Sequence, residues 1–397
     1  MNQRQLFLNY VAQTSDMPLA LEPVSAKGVY ITDAQDKKYI DLISGISVSN
    51  LGHSHPKIVA AVKEQAEKYM HLMVYGEFIK APQVKLAQLL TEHLPKNLEA
   101  VYFTNSGTEA TEGALKLAKR YTGRTEIIHF KNSYHGSTAG SLSVIGDESF
   151  KSNYRPLPPD TRMLEYGNFE QLDKISEKTA AVIIDPVQAE SGITVPPKGY
   201  LKALETKCKS VGALFILDEI QTGAGRTGSL FRLQTENLTP DILLLAKGFG
   251  GGMPLGAFIS SREKFAFFHH NPILGHITTF GGHPVSCAAA LASLEILLET
   301  DIISQVEAKG QLFENLLKHA AIKKTSRAGL MMAIHFESFG FNKKVIDYCI
   351  QDGLITDWFL FASNCLRIGP PLIIENHQIE EACAIILKNI ERVIREL

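Results

Sequence analysis

The stretch that decides the fold lies between positions 213 and 252. It opens as Ala213-Leu-Phe-Ile-Leu-Asp218 and continues as Glu219-Ile-Gln-Thr-Gly223. Further on it reads Asp241-Ile-Leu-Leu-Leu-Ala246 and then Lys247-Gly-Phe-Gly-Gly-Gly252. Apolar runs this short, each followed by a polar residue and a turn, read as strands buried on both faces. Working outward, four more runs share the texture: Ala100-Val-Tyr-Phe-Thr104, Glu126-Ile-Ile-His-Phe130, Ala181-Val-Ile-Ile-Asp185 and Leu255-Gly-Ala-Phe-Ile259. Helical patterns intervene, such as Glu109–Tyr121 and Gly199–Val211. The alternation predicts an α/β fold with parallel βαβ units and a central, mostly parallel sheet covered by helices. Ligands of such sheets sit beyond the carboxyl ends of the strands, so the residues just after each strand are the candidates for a site.

Toward the ends the pattern changes. Pro284 to about Thr300 reads as one long helix, and Leu330-Met-Met-Ala-Ile-His-Phe336 and Cys365-Leu-Arg-Ile368 read as strands. The segment Ile379–Leu397 carries apolar residues at Ile379, Cys383, Ile386, Ile390, Val393 and Leu397, the steps of three and four of an amphipathic helix. Strand-like pieces also occur early, at Gly28-Val-Tyr-Ile-Thr32 and Lys38-Tyr-Ile-Asp-Leu42. Together these predict a smaller α+β lobe from both termini, residues 1–49 and 296–397, beside a larger lobe of residues 50–295.

Composition narrows the function. The 397 residues carry 40 basic and 42 acidic side chains, a net charge of −2, which exerts no long-range pull on nucleic acid. No apolar run approaches the ~20 residues of a membrane span, and Met1 to Tyr10 lacks the pattern of a secretory signal. A soluble, cytoplasmic protein is expected. Five cysteines (Cys208, Cys287, Cys349, Cys365, Cys383) contain no CxxC pair and read as small buried hydrophobes. His53 and His55 lie in Gly52-His-Ser-His-Pro56, which shapes a turn rather than a metal site; no metal is expected.

Three strand ends carry chemistry. After Thr104 comes Asn105-Ser-Gly-Thr-Glu-Ala110 at a helix start, where Ser106, Gly107 and Thr108 offer free N–H groups and hydroxyls to a phosphate; the same residues also suit an ordinary cap. Asp218 ends an apolar strand, where a carboxylate needs a buried partner such as a protonated heterocyclic nitrogen, or else serves as a cap. Lys247 follows an apolar run and precedes glycines. Desolvation there makes a lysine nucleophilic toward an aldehyde, whereas a surface lysine would extend to water. One molecule needs all three groups: pyridoxal phosphate carries a phosphate, a pyridine nitrogen and an aldehyde. Tyr134 supplies a ring to stack on the pyridine, or packs as an ordinary core aromatic. The rival is Gly223-Ala-Gly-Arg-Thr-Gly228, a GxGxxG outline of a nicotinamide dinucleotide site, but no clear helix follows it.

The chain resembles the class III (ω-amino acid) aminotransferases, fold type I pyridoxal phosphate enzymes that include the acetylornithine, ornithine and 4-aminobutyrate aminotransferases. The resemblance runs from about Pro18 to the C-terminus. It is carried by Gly45–Pro56, Asn105–Ala110, Tyr134-His-Gly136, Asp185–Gly192, Leu217–Gly223, Ala246–Ala257, Thr278–Pro284 and Leu366–Leu372. It implies that Lys247 holds the aldehyde and shuttles a proton, that Asp218 keeps the ring nitrogen protonated, and that Gln221 sits by the ring hydroxyl. Tyr134 would stack, with His135 beside it, and Ser106, Gly107 and Thr108 would bind the phosphate. Thr279 would reach the phosphate of a neighbouring subunit in a homodimer whose active site is shared. Arg367 would clamp a substrate carboxylate, and Glu190 would pair with that arginine when an ω-amine occupies the site. The implied substrates are an amino donor and an oxo acid, 2-oxoglutarate, turned over by ping-pong half-reactions. An aminomutase or epimerase on the same scaffold is the alternative. In the family's ornithine and acylornithine enzymes an arginine stands where this chain has Ser137, and Asp185 and Ala189 replace a glutamate and a glycine. The donor stays open among an ω-amino acid, a diamine, a lysine-type ε-amine and a modified ornithine.

Overall fold

Fifteen strands organise the protein, described here from a computed structural model over residues 2–73 and 76–396. They are β1 (Pro23–Lys27), β2 (Tyr30–Asp33), β3 (Lys38–Asp41), β4 (Ala100–Thr104), β5 (Glu126–Phe130), β6 (Thr161–Leu164), β7 (Thr179–Ile184) and β8 (Leu214–Asp218). There follow β9 (Ile242–Leu245), β10 (Gly256–Ser260), β11 (Lys324–Ala328), β12 (Met331–His335), β13 (Leu354–Ile355), β14 (Trp358–Phe359) and β15 (Ala362–Ile368).

The central sheet has the order β4-β10-β9-β8-β7-β5-β6. Its strands are parallel except β10, which runs antiparallel to both β4 and β9. Every residue of β7, β8 and β9 is buried, as continuous apolar runs require when helices cover both faces. One covering helix, Gly107–Thr122, starts at Ser106, whose hydroxyl accepts from the Glu109 amide at 3.3 Å. It buries Ala110, Ala114, Leu117 and Ala118, small and apolar side chains at steps of three and four, and stops at Gly123 in a left-handed conformation (φ 69°). The parallel strands place Asn105, Lys131, Asp185, Glu219 and Ala246 along one edge of the sheet. The antiparallel β10 begins at that same edge, with Gly256 opposite Thr104.

Two smaller four-stranded sheets, β1-β2-β3-β13 and β11-β12-β15-β14, complete the topology. In the first, Leu354 pairs with Ile40, so the early chain and a distant C-terminal strand share one sheet. The expected strand Gly28–Thr32 is instead split. Gly28, at φ 60°, and Val29 make the turn of a hairpin in which Lys27 faces Tyr30. The polar β1 had no apolar alternation to reveal it. The helix Asn376–Arg395 buries Ile379, Cys383, Ile386, Ile390 and Val393; Leu397 lies outside the described residues. Among the described residues no helix is long and apolar enough to cross a membrane.

The loop Gly223–Gly228 opens no helix; the next one starts at Arg232 and is five residues long. Within the loop, the Arg226 guanidinium is fully buried. It donates to the carbonyls of Leu330 (3.2 Å) and Pro370 and to Asn50 Oδ1 (2.5 Å). The arginine therefore ties three remote segments together, and burial pulls its pKa down to about 9. Arg226→Met should destabilise the protein by about 3 kcal/mol, because it strands these buried acceptors. The urea midpoint measures this, and a loss of under about 1 kcal/mol would show that the tie is dispensable.

Candidate active site

A cavity of about 480 Å³ opens at the carboxyl edge of the central sheet. Its wall includes Ser106, Gly107, Thr108, Tyr134, His135, Asp218, Gln221 and Lys247, eight residues picked out in the sequence and gathered here from four strand ends. Glu190 and Arg367 stand beside it, close enough to act electrostatically on Lys247. Thr279 is on an exposed stretch outside this wall.

Lys247 follows β9, and its backbone is held at φ 49°, a left-handed conformation uncommon for a residue with a side chain. Its Nζ donates to Gln221 Oε1 at 2.6 Å. Burial lowers its pKa, with Glu190 opposing the shift and Arg367 reinforcing it. The amine is thus held toward its neutral, nucleophilic form.

Asp218 is the last residue of β8 and is almost wholly enclosed. Its Oδ1 accepts from the Ile220 amide at 3.0 Å, and its Oδ2 accepts from His135 Nδ1 at 2.6 Å. The other imidazole nitrogen points toward Asp185 Oδ2 at 3.8 Å, and both of these buried atoms lack a hydrogen-bond partner. Burial opposes charge on the imidazole, but the two carboxylates outweigh it and raise the His135 pKa. Burial pushes Asp185 up to about 7. The imidazole thus lies between the two carboxyl groups, with one polar atom of each residue within 4.8 Å of the others.

At the opposite end of the cavity, the helix at Gly107 presents its first amides. A Cβ on Gly107 would come within 2.9 Å of Ile220 Cδ1, so a larger residue there requires the Ile220 side chain to shift. Thr108 Oγ1 bonds the hydroxyls of Thr138 and Ser141, each at 2.7 Å. Tyr134 OH bonds Ser137 Oγ at 3.0 Å. An amide-and-hydroxyl cradle, an enclosed carboxylate, a ring-bearing wall and a desolvated amine match the phosphate, pyridine nitrogen, ring face and aldehyde of pyridoxal phosphate.

Arg367 on β15 grips Glu190 with a bidentate pair of 3.0 and 2.9 Å, and its Nε donates to Asp357 Oδ1 at 2.8 Å. The guanidinium also lies 4.3 Å from the centre of the Phe359 ring. Burial opposes both charges, yet each partner overrides it: the Glu190 pKa falls and the Arg367 pKa rises. Sequence reading missed Asp357, which sits between two-residue strands with no pattern around it, and Phe359. It also gave Asp185 no role in the site, although that residue directly follows β7 and the strand-end rule points to it. His53 and His55 stay apart from this centre: His53 Nε2 meets Asp41 Oδ2 at 2.8 Å, and His55 precedes the helix Pro56–Lys68.

Residues 10–390 match the family model described as aminotransferase class-III. The chain is 39% identical to the acetylornithine aminotransferase of Methanopyrus kandleri, over 97% of each chain. Among solved structures, it superposes on the ornithine aminotransferase of Toxoplasma gondii with a TM-score of 0.91 at 27% identity, covering 99% of this chain and 94% of that one. It also superposes on the adenosylmethionine-8-amino-7-oxononanoate aminotransferase of Methanocaldococcus jannaschii with a TM-score of 0.91 at 28% identity, over 98% of each.

Proposed function

Because the chain belongs to the class-III aminotransferases, enzymes that depend on pyridoxal phosphate, we propose that it moves the terminal amine of an ornithine- or lysine-like donor to 2-oxoglutarate by ping-pong half-reactions. The observation that carries the reading is the buried Arg367–Glu190 pair beside the desolvated Lys247. With the pair closed, the site offers no free cation at Arg367 and suits a donor whose reacting end bears an amine alone. With Glu190 withdrawn, Arg367 presents a fork for the carboxylate next to the oxo group of the acceptor. The terminal amine is favoured by the relatives named for acetylornithine and ornithine. Ser137, exposed at the mouth, leaves the recognition of the donor's far end to other groups.

When bound, pyridoxal phosphate supplies an aldehyde that captures amines and a protonated ring that draws electron density from the attached carbon. The amides at Gly107 and Thr108, with Ser106, would hold its phosphate, and Tyr134 would cover the ring. Gln221 would meet the ring hydroxyl. Asp218, its Oδ2 fixed by His135, would hold the ring-nitrogen proton. Lys247 Nζ, a base already tuned toward neutrality by burial, would hold the aldehyde. Once free, the same amine would move a proton from the carbon that bears the donor nitrogen.

The reading includes a homodimer with a shared site. Support comes from the exposed apolar side chains Met70, Met73, Phe78, Ile79, Ile277 and Phe280, in two segments joined by the His71–Phe280 ring contact at 4.7 Å. Thr279 lies in this surface. We assign residues 50–295 to the cofactor lobe and 1–49 with 296–397 to the lobe carrying Arg367, a division supported by the β3–β13 pairing. A cytoplasmic setting is supported by five free, buried cysteines.

The test is spectroscopic. The loaded protein should lose its visible cofactor band when an ω-amino donor is added, and recover it when 2-oxoglutarate follows. A donor panel of ornithine, N-acetylornithine, lysine, 4-aminobutyrate and putrescine ranks the substrates. Repeated turnover with no oxo acid present, well beyond one equivalent of product per active site, would instead identify an isomerase and overturn the transferase reading.

A further inference from the structure

The loop that carries Glu190 rests on a second, partly buried polar chain, which the reaction scheme above does not use. Cross-strand register puts Ser326 opposite Ala333, Ala333 opposite Arg367, and His335 opposite Cys365. With the two-residue period of a strand, Ser326, His335, Cys365 and Arg367 therefore share one face of the β11-β12-β15 sheet. The loop lies against that face: Val187, Ala189 and Ile193 pack with Ala328, Met331, Ala333, Phe359 and Cys365.

The polarity of the chain follows from its end. The Gly192 carbonyl can only accept, so Ser326 Oγ, 2.9 Å away, donates to it. Ser326 Oγ then accepts from His335 Nε2 at 2.6 Å. His335 Nδ1 is left as an acceptor, and the nearest donor is the Cys365 thiol at 3.1 Å, which also lies 3.6 Å from Asn364 Oδ1. Burial lowers the His335 pKa and raises that of the Cys365 thiol, and the chain then runs in one sense: thiol to imidazole, imidazole to hydroxyl, hydroxyl to carbonyl. Gly192 must be glycine here, since a Cβ would sit 3.2 Å from both Cys365 Sγ and His335 Cε1 at a φ of 79°.

We propose that Ser326, His335 and Cys365 are positioning residues that seat the 188–194 loop, and thereby set how readily Glu190 releases Arg367 to a substrate carboxylate. The proposal rests on the Arg367–Glu190 exchange put forward above. The loop is fastened by Phe361 N to Glu190 O at 3.0 Å, by the Gln188–Thr194 bridge, and by Ser326 to Gly192 O. Glu190 is only 6% exposed, and with the loop seated its carboxylate is held by Arg367 and by the Leu360 amide at 3.1 Å. Its carboxylate leaves Arg367 as the loop lifts, and lifting breaks the Ser326 bond. The apparent affinity for a carboxylate is scaled by the open fraction, so loosening this anchor tightens carboxylate binding.

The experiment measures glutarate, an unreactive dicarboxylate, binding to the loaded enzyme by calorimetry. The rate at which a donor bleaches the cofactor band is followed in parallel. Ser326→Ala and Cys365→Val cut the chain at different points, so either one that folds decides the matter. Each should tighten glutarate about fivefold, the population shift worth one neutral hydrogen bond, with the donor half-reaction unchanged. Cys365→Ser, whose hydroxyl still donates to Nδ1, should keep the parent affinity. Glu190→Ala is the control. If it fails to tighten glutarate, the exchange reading falls, and this inference falls with it. If Glu190→Ala tightens glutarate but neither chain variant does, or if they weaken glutarate and donor together, the positioning role alone is overturned.

Discussion

Lys247→Ala is expected to cut multiple-turnover activity by about 10⁴-fold or more while leaving the thermal midpoint within a few degrees of the parent. The loss is expected to be large because the proposed function gives this amine two tasks, holding the aldehyde and moving the proton, and no other described amine lines the cavity. The fold is spared for two reasons. Nζ makes a single hydrogen bond, to Gln221, and a buried amine held toward neutrality contributes little that its removal would forfeit. Alanine also meets the same left-handed backbone requirement as lysine, with φ at 49°. Steady-state rates with the best donor of the panel, set beside a melting curve, measure both halves. Turnover within about tenfold of the parent would remove Lys247 from the chemistry.

The second large effect is at Asp218. Asp218→Asn keeps the shape but leaves one acceptor oxygen for two donors, His135 Nδ1 and the Ile220 amide, and removes the charge that would face the ring nitrogen. Since that charge would keep the ring nitrogen protonated and the ring able to accept electron density, its removal should lower kcat about 10³-fold. The effect should appear in both half-reactions, with little change in KM for the oxo acid, whose binding the proposed function gives to Arg367. Asp185 lies on the far side of His135 and cannot substitute, because its Oδ2 is 3.8 Å from the imidazole and on the wrong edge of it. A kcat within about threefold of the parent would mean that the ring nitrogen finds its proton elsewhere.

The strands that build the cavity were legible for a local reason. In β8 and β9 every residue is buried, so uninterrupted apolar character and burial coincide, and the polar residue that follows is necessarily at the sheet edge. That is why Asp218 and Lys247 could be named from their neighbours alone. β1 and β6 were not legible: their exposed, polar faces leave no period to read. The helix Gly107–Thr122 was foreseen as a phosphate cradle, yet the bonds of Thr108 to Thr138 and Ser141 came from a loop some 30 residues away. Arg226 illustrates the converse. Its glycine-rich surroundings resembled a nucleotide turn, whereas its guanidinium satisfies carbonyls of the C-terminal strand region.

By itself, the sequence determined the α/β class, the strand ends and the amine, carboxylate and glycine-bearing helix start that line one cavity, because apolar periodicity and turn chemistry act over a few residues. Only the tertiary structure decided which long-range partners meet. Arg367 closes on Glu190 across 177 positions, Asp357 and Phe359 complete its setting, and the Ser326–His335–Cys365 chain lies beneath the same loop. Such pairings depend on which faces pack once the sheets have formed. Burying a charge without its partner is too costly to tolerate, but nothing in the local pattern says where that partner will come from.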